Sequence, residues 1–297
     1  MFALLRSLRN HRALLSGFVW RDLKARYVGS AMGFFWSLVF PIVNLFVFMF
    51  VFRLVLKARW GDATPVEVTQ DGGTRIDMVG LGTGSTKETG LVMLAGILIW
   101  SAFAETLSRA TNSLVENSNL IQKVVFPSEI LPPYLTVSSV VNMLIGLPVV
   151  LIGVLVFTDL GLGAPLLLAP VLLGLQLLFT MGLGYGLATL NLYLRDTYHV
   201  VGVATTVWMF ATPIFYPPQL VENASVQLGE TGRTLHFNWL LEVNPMHWLI
   251  DSWRRVLIFN HWPEWDLLLR FGIVAVAVFA LGGWLFMARR REFPDLL

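Results

Sequence analysis

The chain has 297 residues, of which 56% are hydrophobic and 13% are charged, and its mean hydropathy is +0.67. Soluble globular proteins carry about 25% charged residues, so this composition predicts an integral membrane protein. The net charge of +2 is too small to indicate a nucleic-acid partner, and the absence of cysteine excludes disulfides and thiolate metal sites.

Residues 1–28 mix basic and apolar side chains, a composition that predicts a helix lying on the inner surface of a membrane. The apolar run from Ala31 to Leu56 follows. The apolar core of a cleavable signal peptide spans about 7–15 residues, so this run is too long to be one. We therefore expect a retained membrane anchor.

Six apolar segments are candidates to cross a bilayer, which requires about 20 mostly apolar residues in a helix. The segments are 31–56, 90–112, 133–157, 165–194, 199–216 and 267–288. Glu105 and Arg109 lie one helical turn apart in the second segment, so we expect them to form an ion pair. The fifth segment is short and stops in the run Thr212–Pro218, whose prolines lack a backbone donor and break the helix.

The charged flanks of these segments predict their orientation. Basic residues are concentrated before the first span and after the last: Arg6, Arg9, Arg12, Arg21, Lys24, Arg26, Arg289, Arg290 and Arg291. Lys and Arg are enriched on the cytoplasmic side of membranes, so both termini are predicted to be cytoplasmic, together with Lys123. Other basic residues fall on the opposite side, so this prediction rests on the two terminal flanks.

Two segments between the spans are predicted to lie on the outer side. Residues 58–89 are rich in Gly, Thr and Asp, which indicates an external loop with weak strand character at most. Residues 217–266 contain His247–Phe259, an amphipathic and tryptophan-rich run that is too short to span. This pattern predicts a re-entrant or interfacial hairpin before the last span.

No motif in the sequence supports catalysis or nucleotide binding by this chain itself. Gly80–Lys87 superficially resembles a phosphate-binding loop, but it lacks the Gly-Lys-Ser/Thr ending. Glu105 is the sole carboxylate expected within a span, so a proton or sodium relay is poorly supported. His236, His247 and His261 share the outer segment, but their spacing does not match a metal or acid–base site. We therefore expect no enzyme activity and no cofactor.

Two stretches, Arg21–Trp36 and Glu116–Pro132, strongly resemble the permease subunits of ABC-2 polysaccharide exporters, and Asn244-Pro245 resembles that family's segment before the last span. The family exports O-antigen, capsular polysaccharide and wall teichoic acid. The resemblance covers nearly the whole chain. It implies an all-α fold with six spans, an amino-terminal interfacial helix and a cytoplasmic coupling helix, located in the bacterial inner membrane.

The resemblance also implies partners. In the family two copies of the permease pair, and two copies of a separate ATPase, which holds ATP and Mg²⁺, dock beneath them. Residues 115–131 then correspond to the coupling helix region that contacts the ATPase. Its candidate residues are Asn117, Leu120, Ile121, Lys123, Val124, Val125, Phe126 and Glu129. Apolar residues recur there at helical spacing, with Lys123 and Glu129 as flanking charges, although an ordinary linker helix is the alternative interpretation.

A route for the substrate is implied as well. The candidate donors to a lipid-linked diphosphate are Arg21, Lys24 and Arg26, the alternative being simple anchoring of the chain on the inner surface. The candidate channel aromatics are Phe34, Trp36, Trp208 and Phe210, the alternative being aromatic side chains that face lipid.

Together these patterns predict a transport subunit that moves a polyprenyl-diphosphate-linked polysaccharide, with O-antigen as the first candidate, out of the cytoplasm. Export of teichoic acid or capsule, or of a lipid or drug by the same fold, stays open. A membrane enzyme acting on lipid-linked sugars is less well supported, because the paired acids that it needs are missing. The expected partners are the ATPase, a second copy of the chain, the glycan and membrane lipids.

Overall fold

The computed structural model is predominantly helical, as predicted. It describes residues 2–26, 28–29, 35–51, 66–70, 73–77, 86–124, 126–158, 161–222, 225–228 and 233–297. Phe34, Val125, most of Gly80–Lys87 and other parts of the predicted loop 58–89 lie outside these residues.

The described helices and strands are as follows in chain order. The helices are α1 (Phe2–Asn10), α2 (Arg12–Ala25), α3 (Trp36–Phe48), α4 (Thr86–Glu116), α5 (Ser118–Lys123), α6 (Leu131–Phe157), α7 (Ala169–Tyr193), α8 (Thr197–Ala211), α9 (Gln219–Glu222), α10 (Trp239–Glu242), α11 (Pro245–Leu257), α12 (Trp265–Arg289) and α13 (Phe293–Leu296). The strands form two antiparallel hairpins, β1 (Val66–Gln70) with β2 (Gly73–Asp77) and β3 (Ser225–Leu228) with β4 (Arg233–His236). Single 3₁₀ turns cover Ser128–Ile130, Ala164–Leu168 and Arg290–Glu292.

The amino-terminal segment forms two helices where a single surface helix was predicted. A turn at His11 separates α1 from α2. Leu4 of α1 and Phe18 of α2 are both buried, and α2 packs along α6. Apolar contacts therefore fasten this segment to the bundle.

Four helical segments of the described residues are long and apolar enough to cross a membrane. They are Thr89–Glu116, Ser128–Phe157, Ala164–Tyr193 and Trp265–Leu296. They contain the second, third and sixth predicted spans and all but the last residue of the fourth. The first predicted span is represented by a shorter apolar helix, Trp36–Val51, because its predicted ends lie outside the described residues. The fifth corresponds to α8, which has 15 residues and ends before Pro213. The first and fifth spans stay predictions.

Helix α4 lies at the centre of the bundle, in contact with α3, α6, α7, α8 and α11. Helices α7 and α12 approach each other closely at Gly182 and Gly282. A Cβ atom on Gly182 would lie 2.5 Å from the backbone nitrogen of Phe279, and one on Gly186 would lie 3.9 Å from the Cα atom of Gly282. Gly182 and Gly186 lie four residues apart on α7, a spacing of small residues that allows the two helices to pack closely.

The predicted re-entrant segment contains α9, the β3–β4 hairpin, α10 and α11. Helix α11 is amphipathic and 13 residues long, as the sequence pattern indicated. It begins after Asn244, whose side-chain oxygen accepts hydrogen bonds from the backbone amides of Met246 at 3.1 Å and His247 at 3.3 Å. This capping interaction explains why the helix starts at Pro245, a residue that tolerates the first helical position.

Arg254 joins α11 to the rest of the bundle from the inside. Its side chain is buried, and its guanidinium donates to the carbonyl oxygens of Val92 at 3.1 Å, Pro213 at 2.7 Å and Ile214 at 3.0 Å. The last two carbonyls belong to the break that follows α8. The five donors of a guanidinium allow one side chain to satisfy carbonyls from two different elements. Arg254 therefore connects α11 with both α4 and the end of α8.

The carboxyl-terminal end of α4 lies next to the two terminal segments that carry the basic flanks. A hydrophobic cluster at this end contains Leu4, Phe18, Leu114, Ile121, Ile130, Leu131, Tyr185, Ala188, Leu192, Phe279, Phe286 and Phe293. It brings both terminal segments next to the turn formed by residues 117–130. The predicted orientation requires that these segments share one end of the bundle, because it places both termini and Lys123 on the cytoplasmic side.

Candidate functional site

Four charged side chains form a cluster that joins α2 to α4 at the basic end of the bundle. The Nη1 atom of Arg109 lies 3.2 Å from Asp22 Oδ2 and 3.1 Å from Glu105 Oε1. Arg26 pairs with the same two carboxylates, with its Nε atom 3.2 Å from Asp22 Oδ2. The Ser138 hydroxyl of α6 also donates to Asp22. Two negative and two positive charges leave the cluster neutral.

The surroundings of Asp22 keep its carboxylate ionised. Burial alone would raise its pKa, but hydrogen bonds from Arg109 and Ser138 and the charges of Arg109 and Arg26 together hold the pKa below its ordinary value. The stability that this carboxylate contributes is therefore present at neutral pH and is lost only as the pH falls through the lowered pKa. Asp22 is suited to anchoring α2 and not to carrying protons.

The sequence predicted one pair of this cluster and missed the other members. Glu105 and Arg109 pair as their helical spacing indicated. Asp22 precedes Arg26 by one helical turn, and that spacing was a signal for the pair that the structure contains. Asp22 and Glu105 engage the guanidinium of Arg26, one of the three candidate donors to a diphosphate, and its part in binding that group stays a prediction.

Arg21 and Lys24 differ from Arg26 in their surroundings. Both side chains are exposed on α2. The Cζ atom of Arg21 lies 4.5 Å from the centre of the Phe18 ring, a distance typical of a cation–π contact. Neither residue forms an ion pair within the part of the chain that the structure describes. The three predicted basic residues therefore separate into one that is neutralised and two that carry uncompensated charge.

A cleft of about 240 Å³ opens beside the charge cluster, between α3, α4 and α6. Arg26 and Glu105 line it on one side, and the exposed rings of Trp36 and Phe40 line it on another. Its polar lining consists of Ser37, Ser101, Ser139 and Asn142. Aromatic faces next to hydroxyl and amide groups present both apolar and hydrogen-bonding surface, a combination that suits a sugar.

The predicted channel aromatics do not share one environment. Trp36 lines the cleft and is 51% exposed, and Phe210 on α8 is 61% exposed. Trp208 packs edge-on against Trp100 and Phe103, and its indole nitrogen donates to Asn244 Oδ1 at 2.9 Å. The half-buried ring of Trp208 therefore holds α8 to α4 and to the start of α11, and its place in a channel stays a prediction.

The predicted coupling region forms the short helix α5 followed by an extended turn. Ile121 is buried in the chain's own cluster and Leu120 is half-buried against it, so the expected apolar docking face points largely inward. Among the described residues of the predicted set, which do not include Val125, Val124 (61% exposed) and Lys123 face outward. Docking of an ATPase on this region stays a prediction.

The two ends of this region are held by the chain itself. The Asn117 side chain donates to the carbonyl oxygen of Ser113 at 2.8 Å. Phe126 is half-buried, and its ring centre lies 5.7 Å from that of Phe18 on α2. These contacts place α5 against the amino-terminal segment.

Glu129, which the sequence analysis placed as a flanking charge of the coupling region, is buried. Its side chain is 1% exposed. The Ser7 hydroxyl donates to its Oε1 atom, and the Nη1 atom of Arg290 lies 2.9 Å from the same oxygen. Sequence patterns gave no signal for these partners, because both lie far from Glu129 along the chain.

Within the described residues, no group of three or more His, Asp or Glu side chains is placed to hold a metal ion. The candidate site consists of three parts: the neutral charge cluster, the aromatic and polar cleft, and the turn 117–130, which packs against the chain's own core. These features can bind and position polar groups.

Most residues of the candidate site lie in a part of the chain that is similar to a known protein family. Residues 14–258 match the model of a family described as ABC-2 type transporter. The O-antigen export system permease protein RfbA of Myxococcus xanthus is 28% identical over 295 residues, which cover 99% of each chain. Two proteins of the same name from Klebsiella pneumoniae are 24% and 23% identical, over 80% and 93% of this chain and 77% and 92% of their own lengths.

Proposed function

The chain belongs to the ABC-2 type transporter family, and on that premise we propose that it is the membrane-spanning subunit of an exporter for a polyprenyl-diphosphate-linked polysaccharide. The polysaccharide is O-antigen, and it moves from the cytoplasm across the inner membrane. The subunit transports and does not catalyse a reaction, as is the case for the family's permeases. A separate ATPase supplies the energy.

The observation that carries the choice of substrate is the similarity to permeases named for O-antigen export. It extends over almost the full length of both chains in the Myxococcus xanthus protein. The aromatic and polar cleft supports the same substrate class, because its lining suits a carbohydrate.

The proposed topology has six spans with both termini in the cytoplasm. The basic flanks and the turn 117–130 share one end of the bundle, and an excess of Lys and Arg is typical of the cytoplasmic side. Helices α3 and α8 are the first and fifth spans in this topology. The β3–β4 hairpin and α11 then lie on the outer side, near the exit.

The ATPase docks on the outward surface of the turn, at Lys123 and Val124. An exposed apolar side chain beside a cation at the end of a bundle is suited to a protein partner. Two copies of the ATPase, with their ATP and Mg²⁺, serve two copies of this chain.

The passage lies between the two copies of the permease. Helices α3 and α8 support this assignment, because both expose apolar side chains along much of their length. The exposed residues are Trp36, Phe40, Ile42, Val43, Phe46 and Val47 on α3, and Tyr198, Val200, Val203, Val207 and Phe210 on α8. Arg21 and Lys24 bind the diphosphate at the cytoplasmic entrance, because their charges are not neutralised within the described chain.

Deletion of the gene in its host, followed by analysis of lipid-linked glycan, tests this function. We expect glycan on its polyprenyl carrier to accumulate inside the cell, and export to return when this chain is supplied together with its ATPase. An ATPase that binds ATP but cannot hydrolyse it serves as the control and should not restore export. Normal surface O-antigen in the deletion strain, or glycan transport by vesicles that hold this chain without the ATPase, would overturn the proposal.

A further inference from the structure

A single buried carboxylate oxygen connects three distant segments of the chain. Oε1 of Glu129, in the turn before α6, accepts hydrogen bonds from Ser7 of α1 and from Arg290 of the carboxyl-terminal segment. Ser7 lies 122 residues before Glu129, and Arg290 lies 161 residues after it. The amino terminus, the middle and the carboxyl terminus of the chain therefore meet at one side chain.

The backbone of Glu129 is held as well. The hydroxyl of Tyr185, a fully buried residue of α7, donates to the carbonyl oxygen of Glu129 at 2.7 Å. The turn is thus attached to α7 through its main chain and to the two terminal segments through its side chain. The Glu129 side chain is 1% exposed, so its carboxylate would be costly to leave unpaired, whereas the Arg290 side chain is 41% exposed and reaches it from the surface.

Apolar packing surrounds this connection. Leu4, Phe286 and Phe293 have no exposed surface and belong to the same cluster as Ile130, the neighbour of Glu129. Helix α1 contacts the turn at Ser128–Ile130, and α13 contacts α5. Close-packed side chains transmit displacement because they leave little free volume for independent movement.

We propose that Glu129 is a positioning residue that makes the turn 117–130, helix α1 and the carboxyl-terminal segment move as one unit when the ATPase displaces the turn. The inference rests on the proposed function, since the ATPase supplies the displacement. Displacement of the turn then reaches α1 through the hydrogen bonds of Glu129 as well as along α6. From α1 it reaches the proposed cytoplasmic entrance for the substrate beside α2.

Hydrogen–deuterium exchange of the complete permease–ATPase complex tests the proposal segment by segment. Exchange is compared with and without ATP, using a hydrolysis-deficient ATPase, for the unsubstituted protein and for the variants Ser7→Ala and Arg290→Ala. Ser16→Ala and Arg291→Ala are matched controls, because both residues are exposed and neither contacts Glu129. Arg290→Lys retains a cation and serves as the conservative variant.

In the unsubstituted complex we expect ATP to change the exchange of residues 2–10 together with that of residues 117–124. In Arg290→Ala and Ser7→Ala the change in 117–124 should persist, whereas the change in 2–10 should fall at least twofold. Both controls and Arg290→Lys should keep the full response. In a separate assay with the hydrolysis-competent ATPase, export of glycan per ATP hydrolysed should fall in the same two variants.

The possible failures point to different parts of the argument. If the ATPase gives no protection of residues 117–124 in any variant, the proposed docking site is wrong. If the ATPase does protect them, but α1 does not respond to ATP in the unsubstituted protein or responds equally in Arg290→Ala and Ser7→Ala, the role of Glu129 is overturned. Should Arg290→Ala fail to accumulate, Glu129→Gln, which keeps the shape of the side chain and removes its charge, replaces it.

Discussion

Arg109 on α4 donates a hydrogen bond to Asp22 on α2 across a separation of 87 residues, and this pair fastens the surface helix to the central span. Replacement of Asp22 by Asn removes the negative charge that Arg109 and Arg26 share. We expect Asp22→Asn to lower the free energy of unfolding by about 2 kcal/mol, the usual scale for hydrogen bonds to charged groups. Thermal unfolding of the purified protein in detergent measures the change.

Glu116→Gln is the control for that prediction. Glu116 is exposed at the end of α4, where its described partner is Asn112 at 2.9 Å. An exposed contact of this kind contributes about 0.5 kcal/mol or less. Equal losses in the two variants would show that Asp22 does not anchor α2.

Val124 offers a test of the docking surface that leaves the chain's own core intact. We expect Val124→Asp to weaken association with the ATPase about tenfold or more, because a charge would replace an apolar contact at the interface. Co-purification of the two subunits measures the association. Val243→Asp is the matched control, since that valine is 62% exposed in the outer segment; if both variants retain the ATPase, the docking site lies elsewhere.

Arg21 and Lys24 can be separated experimentally from Arg26. We expect the double variant Arg21→Gln/Lys24→Gln to reduce export at least fivefold with an unchanged melting temperature, because these side chains hold no described ion pair. Arg26→Gln should also lower the melting temperature, since it breaks the pairs with Asp22 and Glu105. Arg270→Gln, at the opposite end of the bundle, is the control for loss of an exposed basic residue. Full export by the double variant would exclude the two residues from diphosphate binding.

The neighbouring residues Arg254 and Arg255 should differ in their contribution to stability. Arg254→Met removes the donors to Val92, Pro213 and Ile214 and leaves buried carbonyls without them, so we expect a loss of about 3 kcal/mol. Arg255→Met breaks partly exposed ion pairs, which contribute about 1 kcal/mol or less. Thermal unfolding of both variants gives the comparison, and a larger loss in Arg255→Met would contradict the role assigned to Arg254.

The contact between α7 and α12 predicts a contrast between two glycines of the same helix. A methyl group on Gly182 would collide with the backbone of Phe279, so Gly182→Ala should destabilise the protein by about 1–3 kcal/mol, the range for overpacking. Gly174 has open space around it, so Gly174→Ala should be neutral or slightly stabilising, since Ala favours helix. Similar melting temperatures for the two variants would mean that α7 and α12 can move apart at Gly182 without a loss of stability.

Much of the fold could be predicted because it depends on local patterns. The run lengths of α4, α6, α7 and α12 satisfy the bilayer dimension, and the amphipathic repeat of α11 gave its length. The pair Glu105–Arg109 follows from helical spacing. The turn at His11 was missed, because basic and apolar residues are mixed on both sides of it and no Gly or Pro stands at the break.

The candidate site was harder to predict because its residues have partners far along the chain. An apolar repeat at 120–125 indicates that one face is hidden, but it does not distinguish a partner protein from the chain's own core. Ile121 contributes to that core, and Val124 does not. A glutamate in a proline-containing turn, such as Glu129, likewise resembles an exposed charge in the sequence until its distant partners are known.

The amino-acid sequence by itself determined that this chain belongs in a membrane, where its long helices run and which ends carry the positive charge, since these properties depend on composition and on periods of a few residues. Only the tertiary structure decided that Arg26 is neutralised, that Glu129 is buried with Ser7 and Arg290, and that Trp208 packs inward. The physical reason is that a charge or a ring is free or engaged according to what other helices bring within a few ångströms of it, and that depends on how distant segments pack together.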